Sequence, residues 1–247
     1  MKLNVRNDTV TFGTNVLNIE VPDALRHKIK SGVDFIDAAM GGEGFTPSQA
    51  VLFTGTPGAG KTTMLLKLAD SLTKQGVTVV FNTAEESLFQ VKLVAERLNL
   101  RSGFAVGQET DIPVLLEKCE ALRAKSPGKP FFLLIDSLQC MDDGKWDGLT
   151  NSKTPERVLE MLTSWTKETY SNVIVIGQVN KAGKMAGTQK LKHMVDAMIE
   201  LSIEEKDEDL KGYRVLQTTK NRFGGAGHQI WLDLKKEGFK EVARLGV

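Results

Sequence analysis

The sequence predicts an α/β fold: a mostly parallel central sheet flanked by helices, finishing in an antiparallel edge. Three observations support it. Between residues 50 and 178, short apolar runs alternate with stretches of helical period, the pattern of parallel strands joined by crossover helices. A glycine-rich turn, Gly55-Thr56-Pro57-Gly58-Ala59-Gly60-Lys61-Thr62-Thr63, falls between the first such strand and the first such helix. After residue 195, strands follow one another without intervening helices, as antiparallel neighbours can.

Taken in order, residues 1–30 read as a short appendage and residues 31–247 as the core. Within the appendage, Val10-Thr11-Phe12 and Val16-Leu17-Asn18-Ile19 predict two short strands around Gly13, and Pro22 opens a short polar helix or turn. Strands are expected at 50–55, 77–82, 131–136 and 173–178, each an apolar run short enough to be a buried parallel strand. Helices are expected at 61–75, 87–98, 111–125 and 155–170. In the first, Leu65, Leu68, Ala69 and Leu72 recur at helical spacing. In the third, Ile112, Leu115, Cys119 and Leu122 form one stripe, which makes Cys119 a small core residue. The fourth starts with Thr154 as N-cap and Pro155 at the first helical position, and it carries Val158, Leu162 and Trp165 on one face. Strands 197–203, 213–219 and 229–234 close the sheet, with the charged run Glu204–Asp209 as a solvated turn.

A chain of 247 residues with 41% hydrophobic content fits one large α/β domain. Basic and acidic residues number 32 and 31, so any nucleic-acid contact must come from a local cluster and not from overall charge. The two cysteines, Cys119 and Cys140, form no C-x-x-C pair, which excludes a zinc ribbon. The N-terminus opens no signal peptide and no apolar run reaches membrane-spanning length, so a soluble cytoplasmic protein without membrane partners is expected.

The chemistry begins at the glycine-rich turn. Its G-x-x-x-x-G-K-T spacing is that of a phosphate-binding loop, whose glycines turn backbone N–H groups inward around an anion. The helix N-terminus adds its positive end. In that geometry Lys61 reaches the β- and γ-phosphates and the Thr62 hydroxyl ligates Mg²⁺, so the expected ligands are ATP and Mg²⁺. Phe131-Phe132-Leu133-Leu134-Ile135-Asp136 is an apolar strand ending in an acid, the form of a Walker B element, and Asp136 is the expected metal-side carboxylate. Hydrolysis also needs a group to orient or deprotonate water. Two acids, Glu85 and Glu86, follow the second strand. Glu85 lies nearer the strand end and is the expected catalytic acid, whereas Glu86 is expected to support the next helix. Gln178 ends the strand at 173–178, where an amide can sense a γ-phosphate.

With these features, and on four segments in particular, the chain resembles the RecA superfamily and, within it, the RadA/Sms branch. Ser31-Gly32-Val33-Asp34-Phe35-Ile36-Asp37 with Gly41-Gly42 is similar to the start of that core. Thr83-Ala84-Glu85-Glu86-Ser87 resembles its second-strand acidic motif, and His193-Met194-Val195-Asp196 the segment after its mobile loop. Lys220-Asn221-Arg222-Phe223-Gly224 matches the RadA pentapeptide as it stands. The resemblance implies a RecA-like P-loop NTPase core that assembles as a homo-oligomer, a ring or filament with a hexamer expected, holding ATP between neighbours. It implies that Glu85 activates water, that Gln178 links nucleotide to DNA, and that Lys220 and Arg222 reach the next subunit's ATP. Two cations on a late strand cannot easily reach their own phosphate loop, which agrees with supply in trans. Full RadA carries an N-terminal zinc ribbon and a C-terminal protease-like domain, neither of which this sequence shows, and the branch usually has His where Gln178 stands. The resemblance therefore implies a stand-alone RadA-like ATPase of the kind found in phage recombination systems, in a bacterial cell or a phage-infected host.

Residues 180–192 contain four lysines, Lys181, Lys184, Lys190 and Lys192, and two glycines. Lysines neutralise phosphates, glycines give mobility and Met185 could wedge between bases, so single-stranded DNA is the expected partner of this segment. Trp146, in a second glycine-containing loop, could stack on a base, and His193 is expected to pack beneath the mobile loop. Two alternatives stay open on sequence: a hexameric helicase of the replicative type, and a regulatory ATPase of the KaiC type with protein partners only.

Overall fold

The structure is a computed structural model that describes residues 10–145, 148–178 and 188–245. Apolar runs of five or six residues cannot leave their backbone groups unpaired once buried, and they find one another in a single sheet. Its strands are β1 (Ala50–Gly55), β2 (Thr78–Thr83), β3 (Ala105–Gly107), β4 (Phe131–Asp136), β5 (Asn172–Gln178), β6 (Ala197–Ile203), β7 (Arg214–Asn221), β8 (Gln229–Lys235) and β9 (Gly238–Leu245). They lie in the order β3-β2-β4-β5-β1-β6-β7-β8-β9. Pairing is parallel from β3 to β6 and antiparallel from β6 to β9, as the change of pattern after residue 195 predicts.

Side chains alternate across the parallel strands, and each face receives its own helices. On one face Val51, Phe53, Phe81 and Phe132 pack with α1 (Asp34–Ala39), α2 (Lys61–Lys74) and Val91 of α3 (Leu88–Arg97). On the other, Leu52, Val80, Leu133 and Val175 pack with α4 (Ile112–Arg123), α5 (Thr154–Thr169) and α6 (Thr188–Met194). Both faces are therefore dry, which is why β1, β4 and β5 read as unbroken apolar runs. Two edge-to-face aromatic pairs brace the layers, Phe45 with Phe132 at 5.4 Å and Phe131 with Trp165 at 5.9 Å between ring centres. Cys119 is buried in the second layer, and burial pushes its thiol up to about 12, as suits a packing residue.

Several expectations are corrected. The appendage forms no strand at 10–12 or 16–19. Val16–Asn18 is a 3₁₀ turn whose Leu17 N–H donates to the Asn15 side chain, and Phe12, Val16 and Leu17 are exposed, so no partner strand pairs them. Helix α5 begins at Thr154 itself, with Lys153 at the N-cap. The Thr154 hydroxyl accepts instead from the N–H of Asn151, three residues upstream, closing a turn before the helix. Elements α1, α6, β3 and β9 have no counterpart among the predicted ones.

At the end of β1, Gly55 passes the β6 backbone so closely that a Cβ would lie 1.9 Å from the Leu201 carbonyl oxygen, at φ +150°. The next N–H, of Thr56, donates to that same carbonyl at 3.2 Å. Close approach here sets where the phosphate loop leaves the sheet. Gly55→Ala should cost more than ~2 kcal/mol of stability in urea unfolding, because backbone must move. Gly103→Ala, with open space around its Cβ, should stay within ~0.5 kcal/mol of wild type.

Candidate nucleotide site

Parallel strands end at one edge, and the site is built there. The loop from Thr56 to Gly60 joins β1 to α2. Gly60, at φ +103°, is the N-cap and supplies no side-chain cap. The first N–H groups of α2 thus have no side-chain acceptor at the cap, and an anion can take that place. Lys61 opens α2 and folds its ammonium onto the loop, donating to Gly55 O at 2.8 Å and Thr56 O at 3.0 Å. Burial depresses its pKa, against the opposing charges of Asp136 and Glu85. Thr62 donates its hydroxyl to Asp136 Oδ2 at 2.5 Å, so the predicted metal-side pair is in contact. Thr63, in α2, and Ala59, within the loop, are both buried.

The register brings the remaining residues beside this pair. Gly55 sits opposite Gln178, and Thr83 opposite Asp136. The Ala84 N–H donates to the Asp136 carbonyl at 2.7 Å, stitching the tail of β2 to that of β4. Glu85 Oε1 accepts from the Ser137 hydroxyl and from Gln178 Nε2, and Cys140 Sγ lies 3.7 Å away. Gln139 brackets the backbone of Gln178, accepting from its N–H at 3.0 Å. Sequence reasoning missed Ser137, Gln139 and Cys140. They follow the acid-tipped strand directly, and position after that strand was the available signal. The cleft, about 470 Å³, is lined by the phosphate loop, Glu85, Asp136, Gln178 and Leu234.

Glu86 does not serve the helix as expected. The N-cap of α3 is Ser87, in a reciprocal capping box with Gln90, and its first turn contains no acid. Glu86 Oε2 is instead buried without a hydrogen-bond partner among the described residues. Burial raises the Asp136 pKa, and the charges of Glu85 and Glu86 raise it further, against the Thr62 hydrogen bond and Lys61. Asp136 in contact with the Thr62 hydroxyl, and Glu85 beside Lys61, fit a divalent cation held largely by the phosphates themselves, since among the described residues no group of three His, Cys, Asp or Glu side chains gathers to hold a metal.

The two late cations lie far from this edge. Lys220 pairs with Met198 and Asn221 with Ala197, at the start of β6, whereas Gly55 meets Leu201 further along it. Lys220 Nζ donates to the carbonyls of Lys192 and Val195, both at 2.7 Å. Burial, with Arg222 and Lys192 nearby, lowers its pKa. Arg222 is the freer of the two, its side chain 53% exposed and 3.5 Å from Asp196. Asp196 is buried and also bound by Lys167 at 2.7 Å. Of the predicted DNA contacts, Lys190 pairs with Glu156 and Lys192 is half-buried at the end of α6. His193 is exposed, not packed as expected, and its carbonyl accepts from Arg222 at 3.5 Å. Lys181, Lys184, Met185 and Trp146 lie outside the described residues.

A phosphate loop, an acid-tipped strand beside it in a parallel sheet, and a carboxylate at the same edge define a P-loop ATPase of RecA type. Residues 42–184 match the AAA-domain family. The DNA repair protein RadA of Brucella abortus is 31% identical over 229 residues, 92% of this chain and 47% of that protein. The chain thus spans about half the length of the curated relatives it matches. A DnaB-like replicative helicase superimposes with a TM-score of 0.73 at 17% identity, covering 86% of this chain and 63% of that one. A KaiC-like protein of Pyrococcus horikoshii gives 0.71 at 19%, covering 88% and 99%. The chain belongs to the AAA-domain family, and it is an ATPase whose core has the RecA-type fold and is similar to that of RadA. Among the described residues, no helix is long and apolar enough to cross a membrane.

Because the folded state raises the Asp136 pKa, its charge opposes folding at high pH, and the opposition fades as pH falls through the folded value. Asp136→Asn should therefore melt higher than wild type at neutral pH in EDTA, by roughly 2–4 °C per kcal/mol relieved. The gain should vanish in acid, and added Mg²⁺ should stabilise wild type but not the variant, as read by thermal unfolding.

Proposed function

We propose that this chain is a DNA-stimulated ATPase of recombination or repair, working as a ring or filament with a hexamer as the expected form. It binds single-stranded DNA along the segment after β5 and uses ATP in strand annealing, exchange or branch migration. The observation that carries the reading is the hydrogen bond from Gln178 to Glu85. Gln178 is the last residue of β5, and the chain runs from it directly into Lys181, Lys184, Lys190 and Lys192. DNA held there acts on the side chain that touches the water-activating acid. Relatives described as DNA repair proteins support the same setting.

Lys61 and the N-terminus of α2 hold the β- and γ-phosphates, and Thr62 and Asp136 hold the Mg²⁺ side. Mg²⁺ bound there supplies charge neutralisation on the phosphate oxygens. Glu85 accepts a proton from water as its oxygen bonds to the γ-phosphorus; the bond to the bridging oxygen breaks, and ADP and phosphate leave. Lys220 and Arg222, at the far end of the sheet from their own loop, act on a neighbouring copy's triphosphate. Arg222, half-exposed, gives up its long contact with Asp196 to do so, whereas Lys220 exchanges its two carbonyl partners for phosphate oxygens.

Lys61→Ala should abolish nucleotide binding or turnover, and Glu85→Gln should keep binding while cutting kcat by ~10²–10⁴-fold. Single-stranded DNA should raise wild-type turnover at low salt and lose that effect as salt rises; no stimulation together with no binding would end the DNA reading. Charge reversal at Lys184 and Lys190 should remove the stimulation, and intact activity there would favour a protein-partnered switch. Mixing Lys220→Ala or Arg222→Ala protein with Glu85→Gln protein should restore part of the turnover, since each lends one half of a shared site. Absence of any rescue would count against sites between copies.

A further inference from the structure

The geometry points to Ser137 as a positioning residue for hydrolysis, one that holds Glu85 in register with the phosphate loop. The inference rests on the reading of Glu85 as the water-activating acid. Glu85 is an exposed residue on a loop beyond β2, and a glutamate there has no intrinsic reason to keep one rotamer. Its Oε1 is nonetheless met by the Ser137 hydroxyl and Gln178 Nε2, with Cys140 Sγ at 3.7 Å. All three reach the same oxygen, which leaves Oε2 as the one that can accept a proton from water.

These partners are not equivalent. Gln178 is exposed and ends its strand next to the lysine-bearing segment, and its amide nitrogen carries two hydrogens that can turn between carboxylate and phosphate. A thiol is a weak donor. Ser137 is 0% exposed. It follows β4 directly, and its carbonyl accepts from the Cys140 N–H at 3.2 Å, which closes the 3₁₀ turn at Leu138–Cys140. The loop bearing Glu85 is tied to the same point through Ala84 N–H and the Asp136 carbonyl. Both ends of the Ser137–Glu85 hydrogen bond are thus fixed by backbone. A serine hydroxyl has a single proton to give, and here it is given to the acid. When Gln178 swings to a phosphate, Ser137 remains as the anchor.

A double-mutant cycle tests this. Ser137→Ala should lower kcat for ATP by roughly 10- to 100-fold, the effect of one hydrogen bond to a charged group, with KM and the affinity for a fluorescent ATP analogue unchanged. In a Glu85→Gln background, single-turnover hydrolysis with labelled ATP should show no further loss from Ser137→Ala, because Ser137 acts only through that carboxylate. Wild-type kcat in Ser137→Ala, an equal loss in both backgrounds, or a loss of nucleotide affinity would each overturn the inference. Ser137→Cys, which keeps a weaker donor of similar size, should fall between wild type and alanine, and it stands in for alanine in the cycle should that variant not fold. If Glu85→Gln itself turns over normally, the assignment of Glu85 has failed and this inference falls with it. If Glu85→Gln is inactive and Ser137→Ala is not, the role of Ser137 alone is refuted.

Discussion

Parallel register between β1, β5, β4 and β2 is the constraint on which the site depends. Gly55 ends opposite Gln178 and Thr83 opposite Asp136, so the phosphate loop, Gln178, Asp136 and Glu85 leave the sheet along one line. A slip of one residue in any of these strands would turn its apolar side chains to the wrong face and move its terminal residue out of reach. Burial on both faces forbids that slip. The hydrophobic core is thereby the device that aligns the polar groups.

What this alignment assembles is electrostatically unbalanced. Glu85, Glu86 and one lysine act on Asp136, and that lysine is turned back onto loop carbonyls. Glu86 Oε2 and Thr56 Oγ1 are buried without partners among the described residues. Groups left in that condition cost free energy unless something else satisfies them. A polyphosphate with a divalent cation supplies acceptors to the lysine and loop, and positive charge to the carboxylates. That imbalance favours an anion at the loop and a cation beside Asp136.

The opposite end of the sheet is organised by a different logic. Asp196 is buried and gathers Lys167, Arg222 and the Ala50 N–H, and Lys220 grips the carbonyls that end α6 and lead into β6. The pentapeptide 220–224 is therefore woven into its own subunit even as Arg222 projects from it. Both cations are thereby held in set directions at this end of the sheet.

The phosphate loop, the acid-tipped strand, the order of the main strands and helices, and the change from parallel to antiparallel pairing were all legible in the residues. Each is written in a contiguous run whose spacing carries its own physics. Other features were not legible. Strand β3 has three residues, too few to show a period, and β9 is a largely exposed edge whose charged side chains mask alternation. Residues 10–12 and 16–19 have the composition of strands but no strand partner among the described residues, and propensity without a partner makes none. Glu86 reads as a helix-terminal acid because negative charge suits that place, and only the fold reveals that Ser87 and Gln90 already fill it. The sequence by itself determined which residues could bind phosphate and metal, because those motifs are local. Tertiary structure alone decided that Ser137 and Gln178 would share one oxygen of Glu85, and that Lys220 would bind its own chain. Those contacts join residues 25 to 93 positions apart, and only the packing of the sheet determines which of them meet.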